Sequence, residues 1–140
     1  MHSTTLHSDN RADVAHALAH DRWIVACLCA AWCGTCATYR AAFDTLAARH
    51  PDKYFVWVDI EDHADIVGDL DVENFPTLLI QRHDTVAFFG TMLPDPNVAH
   101  RLLLAQTAHS DAELAALAVS SDERRRWQRD CNLRALLAAA

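Results

Sequence analysis

Residues 23 to 36, WIVACLCAAWCGTC, run from an unbroken apolar segment straight into two cysteines separated by two residues. WIVACLC is rich in β-branched and apolar side chains and shows no polar alternation, the pattern of a strand covered on both faces. The following ATYRAAFDTLAARH (residues 37 to 50) places Tyr39, Phe43, Leu46 and Ala47 at helical spacing and stops before Pro51. A strand that must be covered on both sides and feeds directly into a helix belongs inside a layered α/β domain. Cys33 then lies near the start of that helix.

The rest of the chain supplies the layers. Asn10, Asp13, Val14, Ala17 and Leu18 suggest a capped amphipathic helix ending near His20. KYFVWVDI (residues 53 to 60) reads as a second covered strand, and the acidic segment Glu61 to Leu70 as a short helix. In NFPTLLIQRHDTVAFFG, two apolar runs, Thr77 to Ile80 and Val86 to Phe89, flank the polar Arg82 to Thr85 and predict an antiparallel hairpin. Asp95 as cap and Pro96 at the first helical position begin another helix, with Val98, Leu102 and Ala105 on one face. The order α β α β α β β α predicts a mixed sheet flanked by helices. Beyond Thr107, Ser110 with Glu113 and Ser120 with Glu123 have capping-box spacing, so two further helices are expected, at about 111 to 119 and 121 to 138. Leu114, Leu117, Ala118, Trp127, Cys131 and Leu137 are their candidate docking residues.

A length of 140 residues with 51% hydrophobic content is enough for one domain with its own core. Neither a secretory leader pattern nor an apolar run long enough to span a membrane is visible, so the expectation is a cytoplasmic protein with no membrane partner. The net charge of −7 argues against general nucleic-acid binding. Negative charge gathers at Asp59, Glu61, Asp62, Asp65, Asp69, Asp71 and Glu73, and positive charge at Arg124, Arg125, Arg126, Arg129 and Arg134. Both runs suit solvated faces.

Four of the five cysteines, Cys27, Cys29, Cys33 and Cys36, fall within ten positions. Their chemistry allows three readings: a redox pair, a metal cluster or packed core. CxCx3CxxC supplies enough thiolates for tetrahedral zinc or an iron-sulfur cluster, but the paired knuckles of structural zinc sites are absent, and two of the four sit on a strand that the fold would bury. No metal is expected. Cys27 and Cys29 share strand parity and so point to one sheet face, where they can serve as small hydrophobes. Cys33 and Cys36, separated by two residues at a helix start, lie close enough to close a small disulfide ring. The first thiol there faces unpaired backbone amides and the positive helix end, which favour thiolate, the attacking species. His16 and His20 share a helix face without any accompanying ligand motif and read as surface histidines. Cys131 beside Trp127 reads as a core contact of the last helix.

The element order, WCGTC directly after a strand, and the Phe75-Pro76-Thr77 step before a later strand together resemble the thioredoxin superfamily over roughly residues 10 to 107. The resemblance implies a thioredoxin-like domain over residues 1–107, with residues 108–140 as a helical extension packed on it. It implies a thiol-disulfide oxidoreductase in which Cys33 is the nucleophile and Cys36 the resolving thiol, with a cis bond at Pro76 facing them. Trp32, Gly34, Thr35, Phe75 and Pro76 would form the substrate-binding rim. The implied partners are disulfide-containing protein substrates and an electron donor such as a thioredoxin reductase, with no cofactor.

Four positions depart from that pattern. The buried aspartate six residues before the first cysteine is Cys27, the lysine on the next strand is Trp57, the helix-kinking proline aligns with Ala41, and Thr35 replaces the usual proline between the cysteines. A buried thiol is a poor base, because apolar surroundings raise its pKa. Slower release of mixed disulfides is therefore expected, with Cys27 a possible modulator that traps Cys36 as an alternative disulfide. The same losses, with the acidic stretch and the ERRRWQRD segment, motivate a rival reading as a thioredoxin-like protein-binding module. In a third, the last helices cover the rim or a dimer surface.

Overall fold

The computed structural model describes residues 3–20, 22–68, 70, 72, 76–93 and 95–139. Asp69, Asp71, Glu73 and Phe75, singled out in the sequence, lie outside that set.

WIVACLC forms β2 (Trp23–Cys29), and all seven residues are buried. In chain order the first strand is β1 (Thr4–Thr5), and it is followed by helix α1 (Arg11–Ala19). After β2 come α2 (Gly34–Arg49), β3 (Tyr54–Asp59), the single turn α3 (Ala64–Val67), β4 (Thr77–Arg82), β5 (Thr85–Thr91) and α4 (Pro96–Thr107). The strands form one sheet in the order β1-β3-β2-β4-β5. β3 runs parallel to β2, whereas β4 is antiparallel to both β2 and β5. The central position of β2 is why its sequence lacks alternation: helices cover both of its faces.

Strand parity divides the interior into two cores. Val25, Cys27 and Cys29 pack with Cys36, Tyr39, Phe43 and Leu46 of α2, and with Ala99 and Leu103 of α4. Ile24, Ala26 and Leu28 face the other way, against Val14 and Leu18 of α1 and Ile66 of α3. Phe43 centres the first core, with edge-on contacts to Phe55 at 5.5 Å and Trp57 at 5.7 Å between ring centroids.

The carboxyl-terminal segment forms three helices where two were expected: α5 (Asp111–Ala118), α6 (Asp122–Asp130) and α7 (Leu133–Ala139). The break at Cys131 and Asn132 has a tertiary cause. Gln81 of β4 is fully buried, and its Oε1 accepts the Leu133 N–H at 2.8 Å while its Nε2 donates to Asn132 Oδ1 at 2.7 Å. Asn132 Oδ1 also accepts from Ala135 N at 3.2 Å, which starts α7 afresh. α7 then packs against α1 and α3, with Leu133 and Leu137 joining the second core.

α5 and α6 lie along the outer strand β5. An edge strand exposes unpaired backbone groups. Here the side-chain amide of Gln128 pairs with both groups of one residue, accepting from Val86 N at 2.7 Å and donating to Val86 O at 2.8 Å. Ser110 and Glu113 form the expected reciprocal capping box. At α6 the cap is Ser121 rather than Ser120, because Ser120 Oγ is already donating to Leu117 O at the end of α5. Asp95 caps α4 as expected, accepting from Asn97 N at 2.9 Å. Asn10, by contrast, precedes α1 without capping it: its side chain accepts from His7 N and donates to Thr5 O, tying the helix start to β1.

Candidate active site

Leu28, Thr77 and Thr91 are successive partners across three strands, so the end of β2, the start of β4 and the end of β5 meet at one edge of the sheet. Ala30 to Cys33 emerge from that edge of β2. Pro76 stands just before β4, buried, and its carbonyl accepts from Met92 N just after β5 at 2.9 Å. The strand order, not local sequence, brings residues 32–36 and 76 to the same end of the molecule. Phase and connection of the parallel strands make that end the usual location for an α/β site.

Cys33 is the N-cap of α2. Its N–H donates to Ala30 O at 3.0 Å and its carbonyl accepts from Ala37 N at 3.2 Å, so the backbone on both sides of the sulfur is held. Its side chain is half-buried and makes no capping hydrogen bond. Trp32 beside it is 72% exposed, Gly34 and Thr35 are also exposed, and a Cβ on Gly34 would meet no atom within 4 Å. Cys36, one turn inward, is buried. Exposed Trp32, half-buried Cys33 and buried Cys36 thus descend in order from solvent into the first core. Of the remaining rim residues, Pro76 is in place near the strand ends, and Phe75, with the bond that joins it to Pro76, lies outside the described residues.

Cys36 is joined by a disulfide to Cys29, the last residue of β2, across a Cα–Cα distance of 5.8 Å, while Cys33 carries a free thiol. The alternative partner of Cys36 expected at Cys27 is therefore at Cys29. The reason is the rise of the strand: two residues back along β2, Cys27 sits roughly 7 Å deeper than the residue beneath the first turn of α2. Cys27 remains a thiol, its sulfur 3.9 Å from that of Cys29. With the Cys29 sulfur already bonded, the thiol hydrogen of Cys27 points to it as a weak donor.

Electrostatics around Cys27 accord with the loss of a base at that position. Burial pushes its thiol strongly upward, and the positive charge of Arg40 opposes this only in part. Burial also raises Tyr39, with Cys27 adding to the effect. The Tyr39 hydroxyl is buried and has no hydrogen-bond partner among the described residues. Trp57 is the register partner of Cys27 on β3. Arg40 stacks over its ring at 4.7 Å and donates to Thr5 Oγ1 at 2.9 Å. Sequence reading passed over Arg40, which brings from α2 a cation near the position where a strand lysine was expected. The i+4 spacing to Asp44, 3.7 Å away, was the available signal.

The other candidates stand apart. His16 and His20 are exposed and stack on each other at 3.8 Å, and His20 Nδ1 contacts His16 O. Cys131 is buried in the second core with Trp127. A groove of about 590 Å3 between β5 and α6 is lined by Phe88, Phe89, Arg124, Trp127 and Cys131 and contains none of Cys27, Cys29, Cys33 or Cys36. Four of the basic residues of α6 and α7 are engaged by their own chain. Arg124 lies 5.1 Å over Trp127, Arg125 pairs with Asp122, Arg129 with Asp130 at 3.0 Å, and Arg134 with Asp84 at 2.9 Å.

Solved thioredoxins share this fold. Thioredoxin NaTrxh from Nicotiana alata superposes with a TM-score of 0.65 at 20% identity, covering 75% of this chain and 92% of that one. A mutant thioredoxin from Halobacterium salinarum superposes with 0.66 at 17% identity, covering 78% and 94%. They show the class, a thioredoxin fold with added carboxyl-terminal helices.

The thioredoxin family model matches residues 5–91, and the chain belongs to that family. Among curated relatives, thioredoxin from Mus musculus is 33% identical over 63 residues, 45% of this chain and 60% of its own length. Putative thioredoxin H10 from Arabidopsis thaliana is 29% identical over 105 residues, 75% of this chain and 60% of its own. The matched segment spans 69% of thioredoxin from Ophiophagus hannah, but 11% of thioredoxin domain-containing protein 2 from Mus musculus.

Proposed function

We propose that this chain is a thiol-disulfide oxidoreductase acting on disulfide-containing proteins. The observation that carries the reading is the placement of Cys33 at the start of α2, half-buried beside exposed Trp32, with Cys36 one turn inward beneath it. In the reaction the Cys33 thiolate attacks one sulfur of a substrate disulfide. A Cys33–substrate bond forms, the substrate disulfide breaks, and its second sulfur leaves as thiolate and takes up a proton. Cys36, as thiolate, then attacks Cys33 Sγ and the substrate's remaining sulfur departs. The substrate gains two electrons and two protons, and the enzyme is left with a Cys33–Cys36 disulfide. An electron donor such as a thioredoxin reductase would return the pair to dithiol, and a reducing cytosol is the compartment that suits this cycle.

The second step needs an acceptor for the Cys36 proton. The side chain at the position of the missing aspartate is the Cys27 thiol, which burial makes a very weak acid and leaves protonated. Release of substrate from Cys33 is accordingly slow. Cys27→Asp is expected to speed it by at least about tenfold, read by quenched-flow decay of a Cys33 mixed disulfide. Equal release rates would remove the claim.

Insulin disulfide reduction by the purified protein tests the reading as a whole. Turnover is expected with wild type, is lost in Cys33→Ser, and in Cys36→Ser halts at a mixed disulfide on Cys33. Turnover that survives Cys33→Ser would overturn it. The rival reading as a binding module drew on the missing proton-transfer residues, the acidic stretch and the basic ERRRWQRD segment. Arg134 pairs with Asp84 in the β4–β5 turn and Arg124 donates to Ala87 O of β5, contacts that support a role in holding α6 and α7 in place.

A further inference from the structure

Resting on that reading, we infer that Cys29 is a third redox-active sulfur and that Cys36 exchanges its disulfide between Cys33 at the rim and Cys29 beneath the helix.

Two geometric facts make Cys36 the shared partner. It lies three residues after Cys33 at the start of a helix, a spacing that brings side chains together. It also lies directly over the end of β2, where it is bonded to Cys29. Cys29 belongs to the same apolar cluster as Cys27 and Cys36, and Cys33 packs against the edge of that cluster. The three sulfurs therefore line a path from the half-buried rim to a site where Cys29 is 1% and Cys36 2% exposed. Cys27 is not on the path, since it lies two residues further back along β2 than Cys29, the residue that Cys36 reaches.

The exchange is internal and balanced. Starting from the Cys33–Cys36 disulfide left by turnover, Cys29 gives up its proton and attacks Cys36 Sγ. The Cys29–Cys36 bond forms, the Cys33–Cys36 bond breaks, and Cys33 leaves as thiolate and accepts the proton. One disulfide exists before and after, and no electrons enter or leave. The consequence is an oxidised protein whose surface thiol has been restored. In this inner form Cys33 can still attack a substrate disulfide, expelling one substrate thiol, but Cys36 is tied to Cys29 and does not resolve the adduct. The substrate stays covalently held until an external thiol releases it. An external reductant meets the buried inner bond mainly by the reverse route, in which Cys33 attacks Cys36 and brings the disulfide back to the rim.

The test equilibrates full-length protein across a series of oxidised and reduced dithiothreitol ratios, blocks free thiols with a maleimide in denaturant, and assigns every cysteine by peptide mass. Wild type at the oxidised end is expected to show the Cys29–Cys36 link with Cys33 free. Cys29→Ala, or Cys29→Ser should the first fold poorly, is expected to show Cys33–Cys36 instead. Cys33→Ser is expected to keep the Cys29–Cys36 link and to lose it to dithiothreitol at least about tenfold more slowly than wild type. Insulin reduction that proceeds normally while Cys29 stays free at every ratio would overturn the exchange and leave the oxidoreductase reading intact. A Cys29–Cys36 link in all proteins that retain both residues, no Cys33–Cys36 link in Cys29→Ala, and no insulin turnover would overturn both, leaving a structural disulfide.

Discussion

The two cores on either side of the sheet hold their helices in different ways. On the face of α2, a cysteine from the central strand meets a cysteine from the helix, a link that thiol chemistry can make and break. On the face of α7, the tie is Gln81, whose amide hydrogen-bonds to His83, Asn132 and Leu133. At the neighbouring sheet edge the tie is Gln128, which completes the backbone pairing of Val86. Both devices join distant parts of the chain through buried or half-buried polar chemistry, yet only the first has two covalent states. The contrast teaches how one domain can carry an exchangeable bond without loosening: the fixed hydrogen bonds sit across the sheet from the sulfurs.

The largest expected effect lies on the cysteine side. Cys33→Ser should lower insulin reduction by on the order of 10³-fold or more, because nothing else described at that end supplies an accessible thiol. Its urea unfolding midpoint should stay near that of wild type.

Across the sheet the order reverses. Gln81→Leu should cost about 2–4 kcal/mol in urea unfolding, since a buried residue loses three hydrogen bonds and strands the Leu133 N–H in the interior. Combined with Cys29→Ala, its effect should add to within about 0.5 kcal/mol, as the two sites share no partner. Strong coupling between them would show that the two faces are not independent.

Gln128→Ala is smaller, about 1–2 kcal/mol, because water can replace part of what Val86 loses at the half-buried edge. The freed edge of β5 should also raise the tendency to self-associate, visible by sedimentation.

The smallest effect is a pH dependence next to the first core. Burial holds His50 below its ordinary value, with the charges of Lys53 and His100 acting in the same direction, and its Nε2 lies 2.9 Å from His100 Nδ1. The unfolded chain then takes up the His50 proton first as pH falls. Its contribution is complete above the ordinary histidine value of about 6.5 and is lost as pH drops from there toward the lower folded-state value. His50→Gln should flatten that part of the profile in thermal unfolding measured from pH 7.5 to 5.

Much of this architecture is local and therefore legible in the chain. Unbroken apolar composition marked β2, helical spacing marked Tyr39, Phe43 and Leu46 as the buried stripe of α2, and Asp95-Pro96 marked the start of α4. The face shared by Cys27 and Cys29 followed from strand parity alone. β1 escaped notice because two residues carry no periodicity, and the break between α6 and α7 escaped it because a helical pattern continues through Cys131 and Asn132. That break is imposed by Gln81, about fifty positions earlier in the chain.

The sequence by itself determined the redox candidates: a CxxC at a strand-to-helix junction can hardly place its two sulfurs anywhere but at a helix start, because short-range geometry fixes both elements. Which sulfur lies beneath Cys36 was a tertiary matter. Cys27 and Cys29 are equivalent by composition and parity, and what separates them is the height at which α2 crosses β2, set by the packing of Tyr39, Phe43 and Leu46 against a sheet assembled from distant segments.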